Sequence, residues 1–328
     1  MTAIDLAPSV TVEVHLPAAA RSRALVAETA EGLAARPREL SPTWLYDDRG
    51  CDLFEQITHL PEYYPTRAER AILTQQAADV ATLTGADTLV ELGAGTSEKT
   101  RLLLDAMAST GRLRRFAPFD VAEPALRATA QAVAREYPGV EITAVVGDLR
   151  RHLEVIPGGG RRLVALLGGT VGNLEPPERA ALLHGLAEAM NPGDALLLGT
   201  DLVKDRDRLV AAYDDAAGVT AAFNLNILQV LNRELEADFD PIRFRHVVRF
   251  DEEHSWIEML LRSRSDQIVH LGKVGIVLAL RAGEDIRTEV STKFTAAGVA
   301  SEIAVAGLEL AAWWTDPAGD YGLSLSLR

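Results

Sequence analysis

A chain of 328 residues, 48% apolar and 24% charged, is long enough for one large or two ordinary domains and reads as globular. Its formal net charge of −14 argues against a nucleic-acid or anionic-membrane surface, since both need a basic footprint, and leans toward a small-molecule substrate. One cysteine, Cys51, rules out an intramolecular disulfide and suits a reducing cytosol. No apolar run approaches the ~18 residues of a membrane span, and no cationic segment leads into an apolar core as in a secretory signal.

The first ~20 residues mix Pro, Ala and β-branched side chains and are expected to be loosely held. Residues 21–35 read as an amphipathic helix, and 41–67 form a polar, aromatic stretch too rich in Trp and Tyr for a simple linker. A βα alternation then sets in: helix 67–83, strand 87–92, strand 115–121, helix 124–137, strand 141–146, strand 162–167, helix 178–190 and strand 194–199. Strands separated by helices predict a doubly wound parallel sheet. The pattern breaks over 204–292, where helices (207–217, 224–235) and strand-like runs (246–250, 255–262) mix. A helix over 294–306 and a closing hairpin, 309–314 and 322–327, complete a seven-stranded sheet.

The first strand carries the most informative motif. It ends at the acidic Glu91 and runs into Gly93-Ala94-Gly95, with a helix predicted from Glu98 to Met107. Two glycines let backbone approach a ligand closely at the carboxyl end of a strand. The third glycine of a dinucleotide fingerprint is missing, because Glu98 stands in its place. Acid in this loop opposes a pyrophosphate and tolerates a cation, so a sulfonium cofactor suits the site better than NAD. Other carboxylates end strands too: Asp120 after the second, Asp148, followed by Leu149, after the third. The seven histidines show no metal-ligand spacing, so no metal is expected.

Together the Gly93-x-Gly95 turn, Asp120 and Asp148-Leu149 resemble a class I S-adenosylmethionine-dependent methyltransferase. Trp44-Leu45-Tyr46-Asp47, 60–67 (LPEYYPTR), 91–100 (ELGAGTSEKT), Gly172-Asn173-Leu174, Tyr213-Asp214-Asp215, Phe223-Asn224, Glu289-Val290-Ser291 and 313–316 (WWTD) narrow this further. That set resembles the histidine-specific Nα-methyltransferases of ergothioneine biosynthesis, from about Leu25 onward. One departure is Thr292, where a cysteine is common.

The resemblance implies an α/β fold: a Rossmann-like seven-stranded sheet with a second, α+β substrate-binding lobe. Residues 67–203 with 293–328 are expected to form the methyltransferase domain, and 16–66 with 204–292 the histidine-binding domain. The implied reaction is three methyl transfers from S-adenosylmethionine to the α-amine of L-histidine, in a cytoplasmic monomer. For the cofactor it implies Asp120 on the ribose hydroxyls, Asp148 and the Leu149 backbone on adenine, Gly93 beside the methionine portion and Lys99 on its carboxylate.

For histidine the resemblance implies Glu289 and Ser291 on the imidazole, Asn173 on the carboxylate, Tyr63 and Tyr213 on the backbone end, Met259 lining the ring pocket and Tyr46 near the reacting amine. Chemistry agrees in part: neutral imidazole offers one donor and one acceptor, which a carboxylate and a hydroxyl complement, and residues two apart on a strand share a face. Plainer readings stay open beside these. Glu and Ser two apart also mark an ordinary strand edge, Asn in a glycine-rich turn often serves the turn alone, buried tyrosines often only fill a core, and a lysine opening a helix is commonly solvated. Alternative functions are Nα-methylation of another amino acid or amine and non-catalytic cofactor binding, with a nicotinamide dehydrogenase more distant.

Overall fold

The structure, a computed structural model, describes residues 10–328. The expectation for residues 1–9 therefore lies outside the described residues. The chain divides into two units: 67–202 and 294–328 with residues 10–16 form the first, and 17–66 with 203–293 the second.

The N-terminal third holds β1 (Val10–Val14), α1 (Ala18–Ala34), β2 (Arg38–Glu39), α2 (Asp48–Thr58), α3 (Pro65–Thr84) and β3 (Thr88–Leu92). Next come α4 (Arg101–Ser109), β4 (Arg115–Asp120), α5 (Glu123–Glu136), β5 (Glu141–Val146), β6 (Arg162–Leu166), α6 (Pro176–Ala189) and β7 (Ala195–Asp201). Then follow α7 (Arg206–Ala211), α8 (Val219–Leu235), β8 (Phe244–Asp251), β9 (Trp256–Ser263), β10 (Gln267–Leu271), β11 (Ile276–Leu280) and β12 (Asp285–Thr292). The chain closes with α9 (Ala296–Val305), β13 (Glu309–Thr315) and β14 (Tyr321–Leu327).

In the first unit the sheet runs β1-β5-β4-β3-β6-β7-β14-β13, parallel except where β14 pairs antiparallel with β7 and β13 with β14. All five residues of β3 are buried because helices cover both faces: Leu89 packs with α3, α4 and α5, Val90 with α6 and α9. Each such apolar side chain contributes about 1.5–3 kcal/mol through burial.

Seven of the strands were expected and the eighth was not. Val10–Val14, in a stretch expected to be loose, pairs with β5 in parallel register from Val10↔Ile142 to Val14↔Val146. Its Val-Thr-Val-Glu-Val alternation suits an edge strand with one apolar face. The helix predicted from Glu98 begins instead at Arg101, since Ser97 adopts a left-handed φ of 51°. The helix predicted over 207–217 stops at Ala211. Asp215 then accepts from the backbone N–H of Val219 (3.0 Å) and Thr220 (2.8 Å), opening α8 five residues before the predicted start at 224.

The second unit is built on a sheet β2-β12-β9-β8 with a separate hairpin β10-β11, and its core includes Leu45, Ile227, Leu231, Ile257, Met259 and Leu261. The hairpin and α2 were not anticipated. Asp47 begins α2 by accepting from Gly50 N–H (2.8 Å), and it takes Asn226 Nδ2 (2.7 Å) and Arg233 Nη2 (3.0 Å) from α8.

A bulge in β12 determines which of its side chains face this core. Ile286 and Arg287 pair with Leu261 and Leu260, but the next partner of β9, Met259, lies opposite Glu289. Thr288 is the extra residue. Without it, residues 288 and 290 would share the face of Ile286; with it, Glu289 and Ser291 do. Thr288 Oγ1 donates to Asn224 Oδ1 (2.6 Å) and lies 3.0 Å from the Met259 carbonyl, so the unpaired residue is anchored to α8.

At the end of β3, the Glu91 carboxylate takes hydrogen bonds from the Ser97 and Thr100 hydroxyls, which explains the tight turn before α4. Burial pushes this carboxyl up to about 7; the two hydroxyls and Lys99 pull the other way and Asp120 adds to the rise. Because the folded value exceeds the unfolded value of 4.5, folding favours the protonated form. Stability from this group is therefore full below the unfolded value and is lost as pH rises toward 7, by about 3 kcal/mol in all. Glu91→Gln keeps an acceptor and a donor for the two hydroxyls and removes the charge. Its melting temperature relative to wild type should climb between about pH 5 and about pH 8; a gap that does not vary with pH would show that Glu91 does not carry this linkage.

Candidate functional site

In the first unit, strand ends bring the predicted cofactor residues to one edge of the sheet. Gly93 (φ 73°) and Gly95 (φ 48°) both need left-handed backbone, and a Cβ on Gly95 would meet nothing within 4 Å. Gly93 N–H donates to the Phe119 carbonyl (2.9 Å), holding the turn against β4. Asp120 is oriented by the N–H groups of Gly95 (3.0 Å, to Oδ2) and Ala122 (2.9 Å, to Oδ1). The loop is further clamped by Thr129 Oγ1 on the Gly95 carbonyl (2.8 Å) and by Arg101, which donates to the carbonyls of Thr96 and Ser97 (3.0 Å each) and pairs with Glu136.

Two of the predicted roles meet an unexpected partner. Lys99, expected on a ligand carboxylate, pairs with Glu69, a fully buried side chain of α3. Glu69 also accepts from Gly168 N–H (2.9 and 3.0 Å) and Tyr321 Oη (3.0 Å), joining α3, the turn after β6, and β14. A Cβ on Gly199 would sit 2.1 Å from Glu69 Oε1, so that position has no room for a side chain. Asp148, 7% exposed, accepts from the Arg150 N–H (2.9 Å) and faces its guanidinium (3.3 Å). Leu149 beside it is half-buried against the α6 side of the core. Sequence reasoning missed Glu69, although a carboxylate three and four residues before the buried Ile72 and Leu73 lies on the apolar face of α3.

The residues present fit S-adenosylmethionine. The glycine turn leaves space that a Cβ would fill, and its carboxylates suit a cation that also carries a diol and an amino group. Among the described residues no cluster of three or more His, Cys, Asp or Glu could hold a metal. Asn173 ends the short turn Thr170–Asn173 after β6 and is half-buried.

The second unit gathers the other predicted substrate residues. Met259 is the cross-strand partner of Glu289 and Ile257 of Ser291, so Met259, Glu289 and Ser291 share the face toward α8. An aromatic chain borders them: Tyr46 meets Phe54 and Phe223 edge-on (centroids 5.6 and 5.5 Å), Phe54 meets Tyr63 (6.2 Å), and Tyr63 meets Tyr213 (6.3 Å). Tyr213 Oη lies 2.7 Å from Ser291 Oγ. Burial pushes the Tyr46 phenol well above its ordinary value, with Glu289, Tyr63, Cys51 and Tyr213 adding to the rise. Tyr46 therefore stays protonated at neutral pH.

Behind these groups, His246 Nε2 donates to the Tyr213 carbonyl (2.9 Å) and Nδ1 accepts from Asn224 Nδ2 (2.8 Å). Those partners require a neutral ring, and burial lowers the His246 value, opposed by the Tyr213 bond and by Asp214 and Asp215. Asn224 thus links His246 to the Thr288 bulge. Sequence reasoning saw His246 only as a non-ligand and gave Thr288 no role.

The description "Histidine-specific methyltransferase, SAM-dependent" matches residues 25–328. The chain is 56% identical over 319 residues to the histidine N-alpha-methyltransferase of Mycobacterium tuberculosis, covering 97% of this chain and 99% of that protein. It is 55% identical over 314 residues to the enzyme of the same name from Mycolicibacterium smegmatis, covering 96% and 98%. Ergothioneine biosynthesis protein 1 of Neurospora crassa is 31% identical over 297 residues, 88% of this chain and 33% of that longer protein. With the family match running from residue 25 to the last, the chain belongs to the histidine-specific methyltransferases that use S-adenosylmethionine.

Proposed function

We propose that this protein transfers three methyl groups from S-adenosylmethionine to the α-amine of L-histidine, giving Nα,Nα,Nα-trimethylhistidine (hercynine) at the start of ergothioneine biosynthesis. Histidine methylation follows from the family; the count of three and the residue roles are our reading. The observation that supports it most is the shared face of Glu289, Ser291 and Met259 beside Tyr46, Tyr63 and Tyr213. Glu289 accepts from the ring N–H and Ser291 meets the other ring nitrogen, while Tyr63, Tyr213 and Asn173 address the backbone end.

Bound S-adenosylmethionine supplies a methyl group on a sulfonium, open to attack by a neutral amine. Asp120, Asp148, the Leu149 backbone, Gly93 and Lys99 would hold it, with Lys99 shared with Glu69. The protein's own contribution is orientation, which can remove several kcal/mol of barrier, about 7 or more in favourable cases. Tyr46 cannot act as a phenolate base, because burial and Glu289 keep its proton on. Its oxygen instead accepts an amine N–H, aiming the lone pair, and the proton leaves to water. As methyls accumulate the amine loses donors, and the faces of Tyr46, Tyr63 and Tyr213 still attract the cation. A quaternary nitrogen has no lone pair, so transfer stops there.

Mass spectrometry of histidine incubated with enzyme and excess methyl donor should show one-, two- and three-methyl products, ending in the last. Accumulation at one or two methyls would limit the reading to partial methylation, and turnover of another amino acid in competition with none of histidine would overturn it. Calorimetry separates the two ligand sites. Glu289→Ala should weaken histidine binding by about 1.5–3 kcal/mol, the worth of a hydrogen bond to a charged group, with little effect on S-adenosylhomocysteine. Asp120→Ala should do the reverse. Both affinities falling together in either variant would contradict the assignment of roles.

A further inference from the structure

Lys293 follows β12, next to the hydroxyl of Ser291. Lys293 N–H continues the ladder of β12 by donating to the Ser255 carbonyl (2.7 Å), so Glu289, Ser291 and Lys293 alternate onto one face. The face therefore reads carboxylate, hydroxyl, ammonium. Lys293 is 2% exposed, and Nζ donates to Ser291 Oγ (2.8 Å) and Tyr213 Oη (3.0 Å) while lying 4.7 Å from the Tyr213 ring centroid.

This triangle constrains the hydroxyl protons. An ammonium has three hydrogens and no lone pair, so both oxygens accept from it. The two oxygens are 2.7 Å apart and share one further hydrogen bond. Of the two hydroxyls the phenol is the more acidic and the better donor, which makes Ser291 the acceptor. Ser291 Oγ then accepts twice and has only its own hydrogen left to offer.

We propose that Lys293 is a positioning residue that turns the Ser291 hydroxyl outward as a donor, so that the site takes an imidazole whose nitrogen at that point is unprotonated. The inference rests on reading Glu289 and Ser291 as the imidazole ligands. An imidazolium carries N–H at both nitrogens; it satisfies Glu289 and meets a donor at Ser291. Neutral histidine satisfies both. Lys293 thereby selects the charge state of the substrate without touching it.

The test is the pH dependence of KM for histidine in the full chain, wild type against Lys293→Met and Lys293→Arg. Triazolylalanine, whose ring is far less basic, serves as a second substrate. Groups that titrate around the cluster are Glu289, Tyr213, Tyr46, Tyr63 and Cys51, with His246, Asp214 and Asp215 behind the Tyr213 carbonyl. Titration of the α-amine reaches both substrates alike, and Lys293→Met retains every one of these groups, so a profile that changes in that variant reports Lys293.

Wild-type KM for histidine should rise about tenfold per pH unit below the ordinary imidazole value of about 6.5, and KM for triazolylalanine should not. Lys293→Met should raise KM for histidine about tenfold at pH 8, flatten the acid rise, and leave kcat and KM for S-adenosylmethionine within a few-fold. Lys293→Arg should restore the rise. A Lys293→Met enzyme with the wild-type KM and profile would overturn the proposal. If that variant does not fold, the wild-type comparison decides: matching acid profiles for the two substrates would overturn it as well. Failure of wild type to methylate histidine would bring down the functional reading and this inference together; matching wild-type profiles would bring down the imidazole contacts and this inference while leaving methylation standing; the Lys293 variants bear on Lys293 alone.

Discussion

The hydrogen bond between Thr288 and Asn224 anchors an extra residue in β12, and the face that carries Glu289 and Ser291 depends on it. Side chains alternate along a strand, so one inserted residue exchanges the set that faces the core for the set that faces away. Val290, opposite Glu258, points away with the bulge in place, while Glu289 and Ser291 join Met259 and Ile257. The same Asn224 amide fixes the His246 ring, and His246 holds the Tyr213 backbone. A short run of polar groups centred on Asn224 of α8 thus bears on three side chains from two segments, Glu289 and Ser291 on β12 and Tyr213 after α7. Each member of the run has a partner, which is what makes a polar network affordable in a core.

The first unit solves a related problem with carboxylates. Glu91 and Glu69 are both buried, and each is surrounded by donors that come from the loops they organise. Glu91 draws Ser97 and Thr100 under the glycine turn, which shapes the turn before any ligand binds. Glu69 ties Lys99, the Gly168 N–H and Tyr321 to α3. The acidic edge of this sheet is consequently in part structural.

The central parallel strands were legible because both of their faces are covered, so β3 and β6 appear as short apolar runs bounded by turn residues. The family resemblance was legible through short aromatic and glycine motifs spread along nearly the whole chain. Other features depended on distant partners. The β1 strand has an alternating pattern, but its pairing with β5 lies more than 130 positions away, and its proline- and alanine-rich surroundings read as loose. Helix α8 starts early because Asp215 caps it from beyond a left-handed Gly218, a local arrangement that periodicity does not reveal.

At the site, Glu289 and Ser291 could be paired from their spacing, whereas the face they occupy could not, since the bulge leaves no mark in a single sequence. Lys293 continued the same two-residue period and was overlooked because a lysine is ordinarily solvated. The partner of Lys99 was invisible for the same reason as the β1 pairing, since Glu69 is thirty positions away, whereas Arg150 is a near neighbour of Asp148 whose turn back onto it is set by the folded loop. A crystal structure with L-histidine bound would show directly whether the β12 face holds the imidazole. The imidazole ring should lie on the β12 face, one nitrogen within hydrogen-bond distance of the Glu289 carboxylate and the other of Ser291 Oγ. A ring bound elsewhere, or on this face with neither contact, would contradict it.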